Sequence, residues 1–152
     1  MAPRSRPALD DVSMAIIEQL QQDGRRSYAA IGKVVGLSEA AVRQRVQRLV
    51  DSGVVQIVAV TDPLELGFAR SAMIAIRVEG PTSPVADALA EIDEVIYVVV
   101  TAGRHDIIAE VVARSDEDLL IMTERIRSIP GIRSTETLVY LDLRKETYYW
   151  GR

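Results

Sequence analysis

The sequence contains no cysteine and only one histidine, and these two shortages are the first limits on its chemistry. Without cysteine the chain can form neither disulfides nor thiolate metal sites. With one histidine and no glycine-rich phosphate loop, it holds neither a catalytic triad nor a P-loop. Its carboxylate runs, Asp93-Glu94 and Asp116-Glu117-Asp118, fall at predicted helix ends, where they cap or solubilise. We therefore expect a protein that is not an enzyme and that needs no metal or cofactor.

Long hydrophobic runs are also missing. No apolar run approaches the roughly 20 residues that cross a bilayer. The basic start, Met1 to Pro7, is not followed by the apolar segment of a signal peptide. We therefore expect a cytoplasmic protein with no membrane partner, in which residues 1–8 form a disordered arm.

The chain as a whole has no excess of positive charge, but basic residues are concentrated in its first part. The formal net charge is -4. Residues 1–62 hold 8 Lys and Arg against 7 Asp and Glu, and the remaining residues hold 10 against 15. Six basic residues lie close together in the first part: Arg25, Arg26, Lys33, Arg43, Arg45 and Arg48. Because the Debye length is about 8 Å at physiological salt, such a local basic face can bind phosphate on an acidic protein.

Three short capped helices are predicted in the first 53 residues. The first starts after Asp10 or Asp11 and runs to about Gln22. Ser27 caps the second, and Ser38 caps the third, which ends near Ser52. The last two are separated only by residues 36–38, Gly-Leu-Ser, which is the short turn of a helix-turn-helix.

The third helix has two different sides. Val42, Val46 and Leu49 fall on one side, toward a core. The opposite side carries Gln and Arg, which read base edges in the major groove, and a small Ala that permits close approach. Helix N-termini and the nearby arginines suit backbone phosphates. The candidate DNA-binding residues are Arg25, Arg26, Ser27, Ser38, Ala40, Arg43, Gln44, Arg45, Gln47 and Arg48. The alternative is a solvated amphipathic helix built from good helix formers.

Beyond Gly53 the hydrophobic period changes to that of strands. Val54–Val60 is predicted as a strand, either the wing of a winged helix-turn-helix or the start of a linker. The following part is β-α-β twice, with strands at 72–78, 95–101, 107–113 and 134–141. This order predicts a ferredoxin-like αβ plait (βαββαβ), with one antiparallel sheet and both helices on one face.

The predicted fold class is therefore α+β, with a winged helix-turn-helix followed by an αβ plait. The predicted divisions are an arm at 1–8, a DNA-binding domain at 9–61, a linker at 62–70, an effector and oligomerisation domain at 71–143 and a tail at 144–152.

The predicted strands are apolar at both odd and even positions, which face opposite sides of a sheet, and most clearly so at Val95–Val100. A half-solvated antiparallel strand should alternate apolar and polar residues, and the helices cover only one face of such a sheet. We therefore predict a homodimer, or a larger assembly, that pairs through the sheet. The alternative is that β-propensity alone filled these positions. The aromatic cluster Tyr148-Tyr149-Trp150 is expected to pack against the plait or a neighbouring subunit.

In its order and spacing of motifs, the chain from about Leu9 to Leu143 resembles the Lrp/AsnC family of leucine-responsive or feast/famine regulators. The residues that carry the resemblance are Leu9-Asp10, Gly36-Leu37-Ser38, the run Val42 to Leu49, Ser52-Gly53-Val54-Val55, Leu66-Gly67, Gly103-x-x-Asp106, Ile129-Pro130-Gly131-Ile132 and Thr135-Glu136-Thr137. The resemblance implies double-stranded DNA as a partner. It also implies dimers that assemble into tetramers, octamers or open helical arrays.

The resemblance further implies a small effector, usually an amino acid, bound between subunits near the loop that joins the second and third plait strands. Carried onto this chain, the effector site comprises Thr101, Gly103, Arg104, His105 and Asp106, with Thr135 and Thr137 nearby.

This loop departs from the Gly-Asp-Tyr-Asp pattern that is common in the family. Arg104 and His105 reverse its local charge, so the site either favours a carboxylate-rich ligand or has lost its affinity. Two plainer interpretations stay open: Asp106 serves a tight turn, and His105 is a surface residue. The function predicted from these patterns is effector-modulated, sequence-specific transcription regulation. The alternative is a metabolite-binding oligomeric sensor, or an enzyme's regulatory subunit, without DNA binding.

Overall fold

The computed structural model describes residues 9–147. The predicted arm at 1–8 and the aromatic cluster at 148–150 lie outside these described residues. The chain divides into two compact units. Within the described residues, the helical unit comprises 9–59 with 145–147, and the sheet unit comprises 60–144.

The helical unit contains three α-helices that begin at polar caps. They are α1 (Asp11–Gln22), α2 (Tyr28–Val35) and α3 (Glu39–Asp51). Asp10, rather than Asp11, caps α1, and its carboxylate accepts a hydrogen bond from the Ser13 amide at 2.8 Å. The three predicted helices and the two serine caps are confirmed.

A small apolar core holds these helices together. Ile16 and Leu20 of α1 meet Ile31 of α2 and the inner side of α3. Val42, Val46 and Leu49 are all buried, as the helical wheel predicts. The opposite side of α3 therefore faces outward.

The strand predicted over Val54–Val60 does not form. The amides of Val54 and Val55 close the end of α3 by donating to the Leu49 carbonyl, and the structure assigns residues 56–62 to no strand. Ile57, Val58 and Val60 are more than half exposed. Because a strand needs a neighbour for its backbone groups, the apolar run alone does not produce one. Within the described residues the segment is a linker, and no wing is formed.

The sheet unit follows the predicted order of strands and helices. Its elements are β1 (Arg70–Val78), α4 (Thr82–Ala90), β2 (Val95–Val100), β3 (Ile107–Ala113), α5 (Asp116–Arg127) and β4 (Ile132–Val139). The sheet order is β2-β3-β1-β4, and all neighbouring strands are antiparallel. The ferredoxin-like plait is confirmed.

Both helices pack on one face of this sheet. Ile74 and Ile76 of β1 are fully buried against Leu89 of α4 and Ile126 of α5. The register places Thr137 and Thr135 of β4 opposite Ile74 and Ile76, so these threonines share the helix-covered face.

The other face of the sheet, here called the open face, is not covered by either helix. By alternation and register it comprises Ser71, Met73, Ala75, Arg77, Tyr97, Val99, Ile108, Glu110, Val112, Ser134, Glu136 and Leu138. Tyr97 is 52% exposed and Leu138 is 48% exposed. Tyr140 borders this face, where burial and a hydrogen bond to Glu110 raise the pKa of its hydroxyl to about 12. The open face is therefore largely apolar but incompletely buried.

The turn between α2 and α3 depends on one glycine. The Leu37 amide donates to the Gly32 carbonyl at 3.0 Å. A Cβ on Gly32 would lie 2.4 Å from the Leu37 carbonyl oxygen, which is backbone and cannot swing away.

We expect Gly32→Ala to destabilise the helical unit by about 1–3 kcal/mol, because the added methyl group must push the turn apart. Urea unfolding followed by circular dichroism measures this loss. Gly24→Ala is the matched control, since its Cβ would meet only the Leu20 carbonyl oxygen at 3.8 Å. Equal stability of the two variants would contradict the assigned role of Gly32.

Candidate nucleic-acid interface and effector loop

The outward side of α3, here called the reading face, is a continuous polar surface. It comprises Ala40, Arg43, Gln44, Gln47 and Arg48, all of which are exposed. These residues are exposed because the opposite side of the helix supplies the core contacts.

Arg43 is held by two partners on this face. One guanidinium nitrogen lies 2.8 Å from a carboxylate oxygen of Glu39, one helical turn earlier. The guanidinium carbon lies 5.2 Å from the centroid of the Tyr28 ring, at the start of α2. An exposed ion pair of this kind contributes about 0–1 kcal/mol, so a nucleic acid can replace it.

The glutamines and Arg48 are arranged differently. The Gln47 side-chain amide donates to Asp51 at 2.8 Å. Gln44 and Arg48 make no side-chain hydrogen bond or ion pair with the described part of the chain. Both side chains are exposed, so within residues 9–147 their polar groups are open to an external partner.

Ser27 and Ser38 stand at the N-termini of α2 and α3. Their hydroxyl oxygens accept hydrogen bonds from the amides of Ala30 and Ala41, each at 3.2 Å. The hydroxyl protons remain free to donate, and the helix N-termini carry partial positive charge. Both positions suit a phosphate oxygen.

Arg25 and Arg26 precede α2. The side chain of Arg25 is exposed, and its amide donates to Asp23 at 2.9 Å. The guanidinium of Arg26 donates to the side-chain oxygens of Gln19 and, at 3.4 Å, Gln22. These partners are neutral and do not balance the positive charge of Arg26, while the bonds link Arg26 to the end of α1.

Arg45 occupies a different environment from the other basic candidates. Its Nη1 lies 2.7 Å and 3.0 Å from the two carboxylate oxygens of Asp10, and 3.2 Å from the Ser13 hydroxyl. Hydrogen bonds from Ser13 and Arg45 hold the pKa of Asp10 well below its usual range. The Arg45 charge is therefore already matched inside the helical unit. The sequence predicts only a capping role for Asp10, because no local pattern links Asp10 to Arg45, 35 residues later.

The loop between β2 and β3 is closed by internal hydrogen bonds. Thr101 donates its amide to the Asp106 carbonyl at 2.8 Å and its hydroxyl to the His105 carbonyl at 2.6 Å. The Asp106 carboxylate accepts from the Val78 amide at 2.8 Å. The Thr101 bonds close the turn, and the Asp106 carboxylate ties the loop to the end of β1.

The exposed side of this loop has a mixed charge. Gly103 and Arg104 are exposed, and the Nε2 of His105 lies 3.5 Å from a carboxylate oxygen of Glu136. The sequence predicts Thr135 and Thr137 near this loop, but the register puts both on the opposite, helix-covered face of the sheet. Glu136 is the β4 residue that meets the loop, and only the strand register reveals it.

Residues 9–147 contain no cluster of three or more His, Asp or Glu side chains placed to hold a metal ion. None of the helices in that range is both long and apolar enough to span a bilayer.

Family models of known proteins match both units of the chain. A model of the AsnC-type helix-turn-helix domain matches residues 9–50, and an AsnC model described as a C-terminal dimeric alpha+beta barrel domain matches residues 68–152. The HTH-type transcriptional regulator FL11 of Pyrococcus horikoshii is 35% identical over 144 residues, which is 93% of this chain and 95% of that protein.

Solved structures agree with these matches. The leucine response regulatory protein LrpA of Mycobacterium tuberculosis superposes with a TM-score of 0.82 and 31% identity, covering 91% of this chain and 96% of that one. A transcriptional regulator of Neisseria meningitidis, solved as its complex with L-Met, gives a TM-score of 0.81 at 20% identity, covering 93% and 95%.

Proposed function

Because this chain belongs to the Lrp/AsnC family of transcriptional regulators, we propose that its reading face recognises DNA sequence under the control of a small metabolite. The matched relatives are named as HTH-type transcriptional regulators and not as enzymes. The observation that carries the DNA-reading assignment is the exposure of Arg43, Gln44, Gln47 and Arg48 above a fully apolar inner face.

The reading face has the chemistry of a major-groove reader. Arginine pairs with two acceptors of guanine, and glutamine pairs with the donor and acceptor of adenine. Arg25 and Arg26, with the N-terminal ends of α2 and α3, supply the positive groups that fix the backbone. Sequence is then read by the side chains of α3, and orientation is set by the flanking groups.

We also propose that two copies pair through the open face. The open face leaves large apolar side chains such as Tyr97 and Leu138 about half exposed, and the matched family model describes a dimeric domain. The sheet of a second copy supplies apolar residues at the same positions. Further association of these dimers into tetramers or octamers is part of the same proposal.

The effector proposed for the loop at 101–106 is an amino acid or a related carboxylate. Arg104 offers an exposed cation, and Gly103 leaves its backbone accessible. The Neisseria meningitidis regulator binds L-Met, which supports an amino-acid-like ligand. Since the Asp106 carboxylate already accepts from Val78, Arg104 and Glu136 are the charged groups that we expect the ligand to meet.

We expect Arg43→Ala and Gln47→Ala to reduce discrimination between the protein's own upstream region and a scrambled duplex, by about 1–3 kcal/mol for each lost base contact. Fluorescence anisotropy at stated salt measures both affinities. Arg127→Ala, an exposed change on α5, should bind like the wild type. Unchanged discrimination in the two α3 variants would show that this face does not read the bases.

We expect Ile108→Lys to dissociate the dimer at micromolar concentration, because it introduces a charge into the centre of a paired open face. Sedimentation velocity measures the change. Leu120→Lys is the control, since Leu120 lies on the exposed side of α5 and is 58% exposed. A wild type that is already a folded monomer would contradict the pairing.

A thermal-shift screen of amino and keto acids tests the effector site. A ligand at one hundred times its dissociation constant should stabilise the wild type by about 2.7 kcal/mol. We expect Arg104→Ala to lose this shift and Lys33→Ala, an exposed change in the helical unit, to keep it. A shift that persists in Arg104→Ala would place the site elsewhere.

A further inference from the structure

A closed polar network joins the start of α1 to the middle of α3. The Asp10 carboxylate accepts from the Ser13 amide and from Arg45, and the Ser13 hydroxyl oxygen accepts from Arg45 as well. Ser13 is only 8% exposed, and it is the sole buried polar residue within 9–147. A buried hydroxyl needs such partners, so the three residues form one unit.

This network supplies a directional contact that the apolar core lacks. The free energy of apolar packing is roughly proportional to the buried area and depends little on orientation. A charge-assisted hydrogen bond, in contrast, fixes both distance and angle. Asp10 is itself held in place by its capping bond, so little side-chain freedom is lost when Arg45 binds it. The pair therefore limits how far α3 can rotate about its own axis against α1.

The position of Arg45 on α3 gives that limit a consequence for the reading face. Arg45 follows Gln44 directly and lies between the inner face and the outward face of the helix. Side chains project radially from a helix, so a small rotation of α3 about its own axis moves Gln44 and Gln47 sideways relative to the bases. Base contacts depend on such placement more strongly than phosphate contacts do.

We infer that Arg45 is a positioning residue of the reading helix and not a phosphate contact, with Asp10 as the anchor that holds it. The inference rests on the proposed DNA-reading function. Arg48, on the same helix, is the natural comparison, because it is exposed and has no acidic partner among the described residues.

The test compares the salt dependence of binding with sequence discrimination. The slope of log K against log salt is negative, and each lost phosphate contact reduces its magnitude by about 0.9. We expect Arg48→Ala to show that decrease. Arg45→Ala should keep the wild-type slope but lose several-fold in the ratio of specific to scrambled affinity. Arg45→Lys, which retains a charge opposite Asp10, should restore part of the ratio.

Asp10→Asn separates positioning from folding. Asparagine caps a helix about as well as aspartate, so α1 keeps its start while Arg45 loses its charged partner. We expect this variant to stay folded by circular dichroism and to lose discrimination as Arg45→Ala does. Should Arg45→Ala fail to fold, Asp10→Asn and Arg45→Lys still decide the question.

The two possible failures are distinguishable. A wild type that does not prefer its own upstream region over a scrambled duplex would overturn the proposed function itself. A wild type that does prefer it, together with a salt slope reduced in magnitude by about 0.9 in Arg45→Ala, would overturn the positioning role alone. An unchanged affinity ratio in Asp10→Asn would overturn it as well.

Discussion

The sheet unit depends on one geometric fact: both of its helices pack on the same face of the four-stranded sheet, so neither covers the other face. In the sheet unit, α4 and α5 bury Ile74 and Ile76 and leave Met73, Ile108 and Leu138 on the other side. Pairing of that open face in two copies would bring two reading helices into one particle, related by a two-fold axis. The constraint on the sheet would then also determine the symmetry of the DNA that the protein recognises.

The basic residues on and near α3 have different partners in the helical unit. Arg43 and Arg48 lie on the outward side, Arg26 donates to neutral side chains at the end of α1, and Arg45 is paired with the Asp10 carboxylate. A count of positive charges in the sequence treats all of them alike. Only the partners of each guanidinium distinguish a side chain that is left to solvent from one that links two helices.

Local patterns in the sequence predicted most of the fold, because caps and periodicity are local signals. Ser27, Ser38 and the inner face of α3 lie where the residue pattern put them. The Val54–Val60 strand was wrong, since a strand depends on a neighbour that this pattern does not supply. The partners of Arg45 and the side on which Thr135 and Thr137 lie depend on tertiary contacts and strand register, which a single sequence does not encode locally.

The Asp106 carboxylate binds the Val78 amide, and this bond has a thermodynamic consequence for any ligand of the neighbouring loop. The Thr101 bonds to His105 and Asp106 already join the two ends of the loop, so a ligand would not have to bring those ends together. The entropy of closing the loop would then be a small part of the affinity of any small molecule that binds there.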